Sequence, residues 1–161
     1  MFIGIMQGRL TKSKKNVLQF LPKNWKVEYD RLKETKLDYI ELFTTKFNDE
    51  SPIWNENKSL LEKKISQTKL KKFIVCDYYA FKSSLIGDNY FKFFNKIISR
   101  LASFKNSTLI IPIEDILFKK ENYKELLNVI SHFIIKSKKN GVQLSFEFQV
   151  PLKTILKFKK D

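Results

Sequence analysis

Val142-Gln143-Leu144-Ser145-Phe146-Glu147-Phe148-Gln149 is the stretch on which the architecture turns. Successive side chains of an extended chain point to opposite faces. Leu144, Phe146 and Phe148 thus share one face, and Ser145, Glu147 and Gln149 share the other. A central strand covered by helices on both sides reads apolar on both faces. This strand is apolar on one face only, and its polar face carries a carboxylate near the C-terminal end. The start of the chain behaves alike: Ile3, Ile5, Gln7 and Arg9 share a face that turns polar at its C-terminal end.

Working outward, strand and helix patterns alternate along the chain. Strands are expected at Phe2–Gly8, Leu37–Phe43, Lys72–Tyr79, Thr108–Ile113 and Val142–Phe148. Between them, Asn24 is placed to cap a helix bearing Trp25, Tyr29 and Leu32. A second helix, near Ser59–Thr68, carries Leu60, Leu61 and Ile65 on one side. The third has the clearest stripe, Tyr90, Phe91, Phe94, Ile97, Ile98 and Leu101, with Asp88 as its expected cap. The fourth carries Leu126, Leu127, Ile130, Phe133 and Ile134 and stops at Lys138-Lys139-Asn140-Gly141. Pro151 suits the first turn of a last helix.

Five such units in series predict an α/β fold with a parallel sheet. A five-stranded doubly wound sheet fits the length. A (β/α)8 barrel needs about 250 residues, so 161 residues hold about five of its units. The one-sided polarity of the first and fifth strands favours the incomplete barrel, with residues 1–161 as a single domain.

Composition narrows the partners. Fifteen Phe, 6 Tyr and 2 Trp exclude a disordered tail. The net charge of +14 comes mainly from scattered lysines, with only Arg9, Arg31 and Arg100 as arginines, which argues against a nucleic-acid surface. No apolar run approaches the roughly 20 residues of a membrane span. A single cysteine, Cys76, rules out a disulfide framework and fits a cytoplasmic protein; Cys76 itself reads as a small core residue. The single histidine, His132, falls among Glu125, Asn128 and Lys136 on the polar side of the fourth helix and reads as solvated. Gly8 stands alone after the first strand, so no glycine-rich phosphate cradle forms there.

Ligand sites of parallel sheets lie at the C-terminal ends of the strands. Those ends carry Gln7 and Arg9, then Glu41, Asp77, Glu114 with Asp115, and Glu147. Carboxylates converging on one rim repel unless a cation or protons neutralise them. A divalent metal such as Mg²⁺ or Mn²⁺ is one counterpart, and a polyhydroxylated substrate is another. Glu114 and Asp115 read equally well as loop anchors.

The segment Gly4-Ile5-Met6-Gln7-Gly8-Arg9-Leu10 resembles the N-terminal signature of sugar phosphate isomerases/epimerases of the xylose isomerase-like TIM-barrel superfamily. The similarity continues through Leu18-Gln19-Phe20-Leu21-Pro22 and Trp25, then Asp38-Tyr39-Ile40-Glu41-Leu42 and Cys76-Asp77-Tyr78. Ile111-Pro112-Ile113-Glu114-Asp115 and Leu144-Ser145-Phe146-Glu147 complete it. The resemblance implies a barrel that isomerises or epimerises a sugar or sugar phosphate by metal-assisted proton transfer. It makes Glu147 the first metal ligand and a catalytic carboxylate. Gln7 and Arg9 would hold substrate, with Glu41, Asp77 and Glu114 beside them. The remaining Asp, His and Glu ligands belong to later strands, beyond Asp161. The metal site is therefore expected to be incomplete and the chain inactive alone, pending self-association or a complementing chain. The alternative is a non-catalytic (β/α)5 binding or interaction domain.

Overall fold

The computed structural model describes residues 2–12, 23–46, 49–54, 58–81 and 83–158. Five strands alternate with five α-helices: β1 (Gly4–Met6), α1 (Trp25–Leu32), β2 (Tyr39–Thr44), α2 (Lys58–Ser66), β3 (Phe73–Asp77), α3 (Asp88–Leu101), β4 (Ser107–Ile113), α4 (Lys120–Lys139), β5 (Gln143–Phe148) and α5 (Leu152–Phe158). Short 3-10 turns, Tyr78–Phe81 and Asp115–Phe118, follow β3 and β4. The Leu18–Pro22 part of the resemblance lies outside the described residues.

The strands form one all-parallel sheet in the order β1-β2-β3-β4-β5. Each strand pairs with its sequence neighbour, and the order never reverses. Side chains of one parity make the helix face. Ile40 and Leu42, Phe73 and Val75, and Leu109, Ile111 and Ile113 join one core cluster with Trp25, Tyr29 and Leu32 of α1 and the buried stripes of α3 and α4. Leu144, Phe146 and Phe148 pack against the same cluster from β5. The register Glu41↔Ile74, Ile74↔Thr108 and Thr108↔Gln143 places the opposite parity on a second face, outside that cluster.

Several boundaries differ from the sequence pattern for local reasons. β1 is shorter than its apolar run because Gly8, at φ 90, turns the chain. α3 is capped by Gly87, not Asp88: the extended Gly87 carbonyl accepts the Tyr90 N–H at 2.9 Å. Asp88 is the first helical residue, where its charge faces the positive end of the helix dipole. Phe93 lies in the buried stripe of α3, whereas Phe91 is half-buried and leans on the rings of His132 (5.3 Å) and Phe133 (5.4 Å). α4 stops as expected: the Gly141 N–H donates to Lys138 O (3.1 Å) and Val142 N–H to Ser137 O (3.0 Å), with Gly141 at φ 68. Among the described residues, no helix is long and apolar enough to cross a membrane.

Candidate functional site

Glu41 and Glu147 are placed by strand alternation. In β2, Ile40, Leu42 and Thr44 are buried on the helix face, leaving Glu41 and Phe43 on the other. In β5 the exposed residues are Gln143, Ser145 and Glu147, in strict alternation with half-buried Leu144, Phe146 and Phe148. Met6, Ile74, Cys76, Thr108 and Ile110 share the carboxylate face through the register. Burial pushes the Glu41 carboxyl up, and the charge of Glu147 pushes it further. The same two carboxylates act on Cys76 and Tyr78: burial raises the Cys76 thiol first, then Glu41, Glu147 and Asp77; burial also raises the Tyr78 phenol first, then Cys76, and after it Glu147 and Glu41. Glu41 of β2, Cys76 of β3, Tyr78 of the turn after β3 and Glu147 of β5 are thus electrostatically linked on this side of the sheet. The Phe43 and Tyr78 rings meet edge to face at 5.7 Å.

The other expected site residues are placed differently. Asp77 has the parity of Phe73 and Val75, and its carboxylate is fully buried. It accepts the Tyr79 N–H at 2.9 Å and the hydroxyl of Tyr90 from α3. Burial, with a smaller push from Asp49, raises its pKa to about 7 despite these bonds. Asp77 is thus bound into the helix side and does not meet Glu41 and Glu147 on the open side of the sheet. Gln7 is also fully buried; its Oε1 accepts the Phe43 N–H at 3.4 Å, and among the described residues its Nε2 has no hydrogen-bond partner. Arg9 is exposed in the bend after Gly8. Glu114 is exposed beyond β4, and its carbonyl accepts the Leu117 N–H at 3.1 Å, which makes it a turn anchor. His132 is exposed as the sequence indicated, and Cys76 is buried, on the carboxylate face and not in the helix-side core.

Two carboxylate stations, Glu28 buried and Asp49 half-buried, are absent from the sequence-based set. Glu28 of α1 is fully buried and accepts the N–H groups of Gly8 (2.8 Å) and Leu10 (3.2 Å), latching the loop after β1 onto α1. Its position, three residues after Trp25 and four before Leu32 on the apolar stripe, was the available signal. Asp49 collects the Thr45 N–H (2.5 Å), the hydroxyls of Thr44 and Thr45 (3.1 Å each) and the Ser51 N–H (2.9 Å). Trp54 Nε1–H donates to the same Thr44 hydroxyl at 2.5 Å. This network organises the loop after β2 beside Asp77.

The donor set does not complete a metal centre. Among the described residues, no group of three or more His, Cys, Asp or Glu side chains is arranged to hold a metal ion. Glu41 and Glu147 supply two carboxylates, while Mg²⁺ and Mn²⁺ sites draw on more oxygen or nitrogen donors than that. What the pair can do unaided is hold and exchange a proton. The chain matches no protein-family model and no curated protein.

Proposed function

We propose that this chain is the N-terminal portion of a xylose isomerase-like (β/α)8 barrel of the sugar phosphate isomerase/epimerase type. The observation that carries the reading is the all-parallel, unreversed order β1-β2-β3-β4-β5, with the charge of Glu147 helping burial to raise the Glu41 carboxyl across it. Doubly wound sheets reverse their strand order at a switch point, where ligands bind. Consecutive crossovers of one hand instead leave every helix on the same side, as in a barrel wall.

The same reading calls for a sheet that curls. Glu41 aligns through Ile74 and Thr108 with Gln143, four residues before Glu147. Across three strand spacings of a flat sheet, Glu41 and Glu147 would stand roughly 20 Å apart. Charges that far apart are largely screened. An influence of Glu147 on Glu41 requires the sheet to curl towards the carboxylate face. The tilt of barrel strands, typically 35–45°, brings such a diagonal pair to one level.

The chemistry assigned to the pair is proton transfer at a carbon next to a sugar carbonyl. Glu41 keeps its proton to higher pH than an ordinary glutamate and is the acid of the pair. Glu147, exposed at the strand end, is the base and the first carboxylate available to a divalent cation, Mn²⁺ or Mg²⁺. The further ligands such an ion needs are not assembled by the described residues, so no catalytic step of this chain runs through it. Mn²⁺ titration followed by electron paramagnetic resonance tests this assignment. Weak binding that disappears in Glu147→Gln, with no isomerase turnover by the chain alone, is expected. Tight binding that survives Glu147→Gln would place the site elsewhere.

A second reading, a non-catalytic (β/α)5 interaction domain, is favoured by the exposed polar side of β5 and by β1 and β5 standing as sheet edges. Both readings call for a covering chain or self-association. Sedimentation velocity is expected to show dimers or larger species at micromolar concentration. A single monomeric species with a cooperative melt would count against both.

A further inference from the structure

A second cavity lies in the helical layer, between the start of α4 and α5. Lys120 and Lys124 line it from one wall, one helical turn apart, and Lys153 and Lys157 from the other, again one turn apart. Phe118 and Tyr123 make its aromatic floor, and Thr154 adds a hydroxyl. The floor is braced by further rings: Phe118 lies 5.8 Å from Phe148 and 5.4 Å from Phe158. Among the described residues, no carboxylate lines the cavity and none of the four ammonium groups forms an ion pair. Lys157 stands over the Tyr123 ring at 5.7 Å.

Apart from Lys157, which meets the Tyr123 ring from the last turn of α5, folding gains little from this arrangement of charge. Like charges four residues apart on a helix repel. Lys120 opens α4, a helix of 20 residues, where the positive end of the dipole disfavours a cation. The two lysine pairs, all four exposed, also place like charges around one concave space. A bound anion would relieve all three conflicts together. Lysine ammonium groups read phosphate as point charges, whereas planar carboxylate recognition is the province of arginine. Two pairs on opposite walls suit two phosphoryl groups, and the aromatic floor suits an apolar or aromatic part attached to them.

We propose that this pocket binds a small organic molecule carrying two or more phosphoryl groups, at a site separate from the Glu41–Glu147 face. The proposal is independent of the isomerase reading, because it uses none of the same residues. Isothermal titration of the full chain with inorganic pyrophosphate, at low salt, is the test. Saturable one-site binding is expected, weakened at least tenfold in the Lys124→Gln/Lys157→Gln double variant and unchanged in a Lys138→Gln/Lys139→Gln control at the far end of α4. Equal weakening in the control, displacement by an equal concentration of sulfate, or no saturable binding would each overturn it. So would sedimentation with phosphatidylserine vesicles, or retention of a single-stranded oligonucleotide, that pyrophosphate fails to displace.

Discussion

The two faces of the sheet are built to different rules although they share every strand. On the helix face, Ile40, Leu42, Val75, Leu109 and Ile111 have no solvent exposure and join one core with buried residues of α1, α2, α3 and α4. On the carboxylate face, the same strands offer Glu41, Cys76, Thr108, Ser145 and Glu147. Burial on that side declines towards β5, where every second residue is exposed. One face specifies the fold and the other leaves room for chemistry. Substitutions that look alike should therefore differ sharply with the face they fall on.

The largest contrast is expected in stability. Leu42→Ala removes a fully buried side chain from the helix face and should cost about 2–5 kcal/mol in urea unfolding. Ser145→Ala, exposed on the carboxylate face, should stay within about 0.5 kcal/mol. Comparable losses at the two sites would mean that the carboxylate face is packed in solution by something equivalent to a second helix layer.

The next contrast is between two raised carboxylates, one per face. Asp77, enclosed on the helix side, titrates at about 7 in the folded chain against 3.8 for the free residue. The folded state then holds a proton that the unfolded state has released. Its contribution to stability is complete below about pH 4 and is lost as pH rises through about 7. Thermal melts should show stability falling by a few kcal/mol across that window, and Asp77→Asn should flatten the dependence. Glu41, half-buried and facing Glu147, should contribute in the same direction over a narrower range. A stability that rises with pH between 4 and 7 in the wild-type chain would contradict the enclosed position of Asp77.

Most of the helix face was legible from periodicity. The stripe Tyr90, Phe94, Ile97, Ile98, Leu101 and the Asn140-Gly141 stop follow from side-chain spacing and from a backbone angle that glycine favours. The alternation of β5, and with it the face of Glu147, was equally legible because the side-chain period of a strand is two. What the pattern hid were choices made by tertiary contacts. Asp77 is the last residue of β3 and reads as a rim residue, yet its parity and the Tyr90 hydroxyl carry it to the helix side. Gln7 reads as a substrate contact, and the turn at Gly8 folds it against the Phe43 backbone instead. Glu114 reads as a site carboxylate and serves through its carbonyl. Glu28 sits on an apolar stripe, and only the loop it latches explains a carboxylate there.

The proposed site requires Glu41 and Glu147 to face one another across the sheet. Side-chain carboxyl titration of Glu41 by NMR, in the wild-type chain and in Glu147→Gln, measures that proximity without any ligand. The expected result is a Glu41 midpoint above the ordinary glutamate value that falls when Glu147 loses its charge and stays raised by the residual burial. A midpoint that Glu147→Gln leaves unmoved would show that the two carboxylates do not face one another, and the proposed site would go with it.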